Sequence, residues 1–152
     1  MRYRLEIRKD RNNKAKRIVF SMYSIYPRSF GPFIGVIDTG SPRTVLSLAD
    51  AERLNIPFNN LKSTDPISGY GRGKIPTLKI EKFSVNVKSQ DNKLKNLKFP
   101  INVVDLPTLK KYGNDTVINT YRIPTLIGLD FLELNNLSIF IDIKNNIAYL
   151  ED

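Results

Sequence analysis

The sequence predicts an all-β fold, on three observations. Apolar and polar residues alternate with period two: Tyr3, Leu5 and Ile7 interleave with Arg2, Arg4, Glu6 and Arg8, and Phe83, Val85 and Val87 alternate in the same way. Runs rich in β-formers, such as Ile18 to Tyr26, end at clusters of proline, glycine and asparagine. The helical pattern is short, one or two turns from Leu48 to Leu54. A length of 152 residues fits one domain over 1–152 and is enough for a real core.

Taken in order, Met1 to Arg8 reads as a half-buried strand and Asp10 to Lys14 as a polar turn. A second strand runs from Arg17 to Tyr26, and Pro27 to Pro32 breaks it. Phe33 to Ile37 is a third strand, and it delivers Asp38 to a tight turn, Asp38-Thr39-Gly40-Ser41. Gly40 there can take a backbone conformation that a Cβ resists, and the Thr39 and Ser41 hydroxyls can hold the turn and the carboxylate. Val45 and Leu46 form a short strand. Ser47 caps the short helix with Asp50 three residues on, and Asn55 and Pro57 stop it.

Thr64 to Val87 reads as a long hairpin. Pro66-Ile67-Ser68 leads in, Gly69, Gly71 and Gly73 make the tip around Tyr70 and Arg72, and Ile75 to Val87 leads out. This glycine run has neither the spacing of a P-loop nor that of a dinucleotide fingerprint, and no helix pattern follows it. Ser89 to Lys98 is expected as a polar turn and Phe99 to Val104 as a strand ending at Asp105. Pro107, Gly113 and Asn114 make Leu106 to Arg122 a long loop with a helical turn at Thr108 to Tyr112. Leu137 to Ile143 and Ile147 to Leu150 form a terminal hairpin around Lys144-Asn145-Asn146.

Three elements together resemble the retropepsin-like, single-domain aspartic proteases. Asp38-Thr39-Gly40-Ser41, preceded by apolar residues and followed by Thr44-Val45-Leu46-Ser47, is similar to the family's active-site loop. Thr125-Leu126-Ile127-Gly128 resembles the segment that packs beside that loop, and Ser68 to Gly73 lies where the family has its flap. The resemblance spans Ile18 to Leu150. It implies a closed, barrel-like sheet with one or two short helices and a flap hairpin, the C-terminal helix being Leu129 to Leu134. It also implies catalytic roles for Asp38, Thr39 and Gly40. Ser41 and the flap residues Gly69, Tyr70, Gly71 and Arg72 then face a peptide substrate.

Composition narrows the chemistry independently. The chain has no cysteine and no histidine, which removes disulfides, thiolate chemistry, Ser-His and Cys-His triads and most zinc sites. Carboxylates remain as the obvious acid–base groups, and no metal or cofactor is called for. The net charge of +9 is scattered over Arg2, Arg4, Arg8, Lys14, Lys16, Arg17, Lys93, Lys95 and Lys98 among others, and no nucleic-acid module accompanies it. There is no signal-type apolar run and no stretch long enough for a membrane span, Met1 reads as a natural start, and the expected compartment is the cytoplasm.

Peptide hydrolysis by carboxylates needs two of them sharing one proton, one as base toward water and one donating to the carbonyl oxygen. The chain holds one Asp-Thr-Gly and no internal repeat. Asp130, Glu133, Asp142, Asp105 and Asp115 do not repeat the setting of Asp38. The second carboxylate is therefore expected from a second copy, in a homodimer with Asp38 and its mate on the axis and Thr39 bonding across it. The terminal segments Met1 to Arg8 and Ile147 to Asp152 are expected at that interface. Ser41 is expected to donate to the outer oxygen of Asp38 and shift activity toward acid. The second reading is a catalytically silent domain of the same fold that binds a peptide or partner. The third is a basic nucleic-acid-binding β-domain.

Overall fold

The computed structural model describes residues 1–9, 15–68 and 74–152. The N-terminal alternation is real but belongs to two strands, β1 (Arg2–Arg4) and β2 (Glu6–Lys9), which take different partners. A strand that crosses from one sheet to another keeps its alternation, so the sequence carries no sign of the break at Leu5. β2 pairs antiparallel with β3 (Lys16–Tyr26), which turns back through Pro27 and Arg28 into β4 (Ser29–Ile37). Arg28 takes a positive φ of 63° in that turn.

The break expected over Pro27 to Pro32 is thus two residues wide, and Pro32 lies inside β4, opposite Tyr23. Over residues 29–34 the ladder gives β4 only β3 as a neighbour, the half-edge setting in which a proline without N–H is tolerated. Beyond that, Gly35, Val36 and Ile37 run parallel to β9 (Thr125–Ile127), as the resemblance implies.

The expected short strand and helix follow as β5 (Val45–Leu46) and α1 (Leu48–Arg53). Ser47 Oγ accepts from the Asp50 N–H at 3.0 Å, and Asn55, with φ 56°, ends the helix. The long hairpin is β6 (Lys62–Ile67) against β7 (Ile75–Lys88). β7 then pairs along its length with β8 (Leu94–Val104). The turn before β8 spans only Ser89 to Lys93, shorter than expected. Lys95 to Lys98 looks polar because Asn96 and Lys98 point outward beside Asn86 and Ser84, while Leu97 is buried.

More helix fills 106–122 than the sequence suggests. α2 (Leu106–Leu109) and α3 (Asn114–Tyr121) flank a 3-10 turn at Lys110–Tyr112. Asp105 caps α2: its two carboxylate oxygens accept from the Thr108 N–H at 3.1 Å and from Thr108 Oγ1 at 2.7 Å. Pro107 sits at the start of α2, where its missing N–H costs nothing. Leu106 and Leu109 bury against Val45, Leu48, Ile67, Ile75 and Val104 in a small second core.

α4 (Leu129–Leu134) follows β9 where the C-terminal helix is expected, and Asn136 ends it with φ 51°. The expected terminal hairpin is β10 (Ser138–Asp142) and β11 (Ile147–Glu151). β11 lies between β10 and β1 in a three-stranded sheet, so the two terminal segments pair within one chain, Arg2 opposite Glu151 and Arg4 opposite Tyr149.

The main sheet runs β2-β3-β4-β9-β5-β8-β7-β6, and a further pairing of β3 with β7 makes it a ring-like barrel. A chain of aromatic rings fills the ring. Phe83 touches Tyr26, Phe33 and Phe99 at centroid distances of 5.7–6.0 Å, and Phe131 of α4 meets Phe99 edge-on at 4.8 Å. Phe83 and Phe131 are fully buried, so α4 is anchored from below. Among the described residues no helix is long and apolar enough to cross a membrane.

Candidate active site

Asp38 stands one residue past β4, where the ladder with β9 is still in force: its N–H donates to the Ile127 carbonyl at 2.9 Å. The chain then turns sharply. Ser41 N–H donates to the Asp38 carbonyl at 3.1 Å, and Gly40 N–H donates to Asp38 Oδ1 at 3.0 Å. A Cβ on Gly40 would lie 3.2 Å from that oxygen, so glycine leaves the carboxylate room beside the turn. The carboxylate is therefore oriented by a backbone donor, and Asp38 is half-buried while Thr39 and Gly40 are exposed.

Ser41 behaves differently from expectation. Its hydroxyl donates to the Arg43 carbonyl at 2.7 Å, not to Asp38. A hydroxyl has one proton, and the turn uses it to shape residues 41–43. Thr39 makes no side-chain hydrogen bond among the described residues of the single chain.

Two clasps fix this loop, and each ties the resembling segments to an acid outside them, Asp130 in one and Asp50 in the other. In the first, Asp130 in the opening turn of α4 accepts from Thr44 Oγ1 at 2.7 Å and from the Thr44 N–H at 3.1 Å. Thr44 Oγ1 in turn accepts from the Gly128 N–H at 3.0 Å. Thr44 is 1% exposed, so each of these groups would be orphaned without the others.

In the second, Thr125 Oγ1 donates to Asp50 Oδ2 at 2.7 Å and accepts from the Ser47 N–H at 2.9 Å. Asp50 also pairs with Arg53 at 2.9 Å. Tyr121 of α3 lies near Glu52 of α1. Burial first, then a hydrogen bond to Glu52, pushes that phenol up to about 12.

Gly128 supplies the fit between the clasps. A Cβ there would lie 2.5 Å from the backbone C and O of Arg43 and 2.7 Å from the Ser41 carbonyl. Only a residue without a side chain lets α4 approach the 41–43 backbone this closely, and Leu129 N–H then donates to the Ser41 carbonyl at 2.9 Å. The Leu-Ile-Gly pattern points to Gly128. Thr44 and Asp130 leave no local signature, because their partnership spans 86 positions.

Asp38 opens on a cleft of about 500 Å³. Ser41 and Arg43 line it from the loop, Leu126 from β9, and Pro66 and Ile67 from the arm of the β6–β7 hairpin. That arm bulges between Thr64 and Ile67, and the bulge is pinned by Thr77 Oγ1, which donates to the Asp65 carbonyl at 3.0 Å. Asn102 Nδ2, buried, donates to Thr77 Oγ1 at 3.2 Å. The hairpin expected as a flap thus has one arm, β6, against the cleft. The tip residues Gly69, Tyr70, Gly71 and Arg72, and Gly73 with them, lie outside the described residues.

No family model matches the chain, and no curated protein matches it in sequence. Solved structures do match in shape. A retropepsin-like aspartic protease from Rickettsia conorii superposes with a TM-score of 0.60 at 17% identity, covering 99% of this chain and 91% of that one. EIAV protease, complexed with the inhibitor HBY-793, superposes with a TM-score of 0.50 at 19% identity, covering 87% of this chain and all of that one. These neighbours show that the chain has the fold of the retropepsin-like proteases.

Proposed function

We propose that this chain is an aspartic endopeptidase whose catalytic pair is Asp38 of two copies. The observation that carries the reading is the placement of Asp38. At a strand end, its backbone N–H donates to the Ile127 carbonyl and its half-buried carboxylate accepts from Gly40 N–H, opening on a cleft that a hairpin arm also lines. The fold of the neighbours supports it. One Asp-Thr-Gly per chain makes a single copy half a site, so the active form is a homodimer.

In that dimer the two carboxylates share one proton, since like charges at close range do not both ionise. The ionised one takes a proton from water as the water adds to the peptide carbonyl. The protonated one gives its proton to the carbonyl oxygen. The tetrahedral adduct then collapses, and the amine leaves with a proton from the dyad. Thr39, exposed in one chain, bonds across the axis. Gly40 lies against the substrate backbone, and the hairpin tip at Gly69 to Arg72 closes over the peptide. The substrate class is a peptide or an unfolded protein.

The test is digestion of a peptide library from pH 3 to 7 by the wild type and by Asp38→Ala, with pepstatin as inhibitor and sedimentation at micromolar concentration beside it. Cleavage by a dimer, abolished by Asp38→Ala and blocked by pepstatin, is expected. Cleavage that survives Asp38→Ala puts the chemistry elsewhere, and full activity in a strict monomer refutes the shared dyad. Pepstatin binding with no cleavage of any peptide would mark the silent domain.

A further inference from the structure

We infer that Arg43 makes this cleft select peptides with an acidic side chain, aspartate or glutamate, in the segment bound beside Asp38. The inference deepens the proposed function and rests on reading the cleft as a peptide site. Among the described residues that line it, Asp38 and Arg43 alone carry charge. Asp38 is committed to the chemistry. The remaining wall is apolar or small, with Pro42, Val45, Pro66, Ile67 and Leu126 as its larger members. Among the described residues Arg43 is the one cation in that wall, and it is the feature there that tells peptides apart by charge.

The position of Arg43 is set firmly and its head group loosely. Its carbonyl accepts from Ser41 Oγ at 2.7 Å, and its backbone packs where Gly128 leaves no room for a Cβ. The base of the side chain therefore stays at a constant offset from Asp38. The guanidinium makes no hydrogen bond among the described residues. Its nearest anion is Asp65 of the hairpin arm, 3.9 Å away, a weak exposed pair in which the Asp65 side chain is 88% accessible. An arginine fork has five donors in a plane that fits a carboxylate bidentately, so most of its bonding capacity is open to a ligand.

Asp65 and a substrate carboxylate thus compete for one fork at the mouth of the cleft. Peptide binding excludes water from that mouth and strengthens the charged contact there. A second consequence concerns pH. The preference needs an ionised substrate side chain, so it fades below about pH 4, where aspartate and glutamate take up protons.

The experiment has two arms. In the first, a positional-scanning set of short peptides is digested at pH 5.5 and pH 3 by wild type, Arg43→Gln and Arg43→Glu. In the second, the same peptides, paired as Glu and Gln versions at each position, bind the Asp38→Asn forms of all three proteins, read by fluorescence anisotropy. This arm needs no hydrolysis.

An acidic residue is expected to be favoured about three- to tenfold at one position, the range for a partly exposed charged hydrogen bond. Arg43→Gln should erase that preference, and Arg43→Glu should replace it with lysine or arginine. No acidic preference in the binding arm, or one that persists in Arg43→Glu, overturns the inference, and so does a failure of all peptides to bind. Acidic peptides that bind but are never cut uphold the inference and sink the hydrolytic reading instead.

Discussion

Replacing Gly128 with alanine tests the account of how the Asp38 loop is held. The added Cβ would sit 2.5 Å from the Arg43 carbonyl carbon and oxygen and 2.7 Å from the Ser41 carbonyl oxygen. Real Cβ contacts do not come this close, and the obstacles are backbone atoms, which cannot rotate aside. Either α4 or residues 41–43 must move.

Overpacking of this kind costs about 1–3 kcal/mol. The movement also stretches the Gly128 N–H to Thr44 Oγ1 bond, now 3.0 Å, and losing it adds about 1 kcal/mol. A total of about 2–4 kcal/mol lowers Tm by about 5–15 °C for a domain of this size. Activity should fall further than stability, because a shift of about 1 Å near the reacting group can cost about 100-fold.

The assay is a thermal melt by circular dichroism beside initial rates on a library-derived peptide, taken well below the lowered Tm. Gly35→Ala is the comparison. There the obstacle at 2.6 Å is the Ile127 side chain, which can re-orient, so a smaller loss is expected. A Gly128→Ala protein that melts within about 1 °C of the wild type would refute the close-packing argument.

Four further outcomes are expected. Asp38→Asn should lose several orders of magnitude in rate, as when a central catalytic group is removed, with Tm equal to or slightly above the wild type near neutral pH because like-charge strain at the proposed dimer axis is relieved; an active Asp38→Asn contradicts the proposed site. Asp130→Ala unties Thr44 and leaves two buried donors unmet, so denaturant unfolding should report a loss of about 2–4 kcal/mol, against under 1 kcal/mol if the clasp is idle.

Asp152 is held well below the usual carboxylate range, first by the Lys95 ammonium and then by the N-terminal amine, with the Tyr3 hydroxyl also bonded to it. A depressed native value means stability that is present above about pH 4 and lost as pH falls toward the native value, so Asp152→Asn should be less stable at pH 7 and show a shallower acid loss in urea titrations from pH 2.5 to 7. Gly71→Val should lower turnover with little change in Tm, and unchanged kinetics would mean that the hairpin does not act as a flap.

The elements that sequence exposed best are those whose signal is local. Asp38 and its turn announce themselves through an abrupt change from β-branched to polar residues. The Ser47 cap and the Asn55 stop are each set by one residue's own chemistry. Asp105 with Pro107 carries a helix-start signal of the same local kind, masked by Gly113 and Asn114 nearby.

What stayed hidden depends on partners distant in the chain. Pro32 is admissible in β4 only because β9 begins its pairing three residues later, at Gly35. Lys98 reads as loop until Ser84 is placed beside it. Asp130 looks like an ordinary acid in a helix's first turn, and Thr44 gives no hint of needing it. At the site itself, the sequence pointed the Ser41 hydroxyl at Asp38, and the turn geometry gives it the Arg43 carbonyl instead.

The span of the Thr44–Asp130 clasp also bears on how the molecule is made. Contacts between residues 86 positions apart form late, because loop-closure entropy is lost before such contacts repay it. During synthesis Asp38 leaves the ribosome early, at about 5–20 residues per second, yet the chain must grow past Asp130 before its loop can lock. For that interval of about several seconds the nascent chain carries its acid unbraced. The long-range clasp makes the Asp38 loop one of the last parts of the chain to settle, after residues beyond Asp130 have emerged.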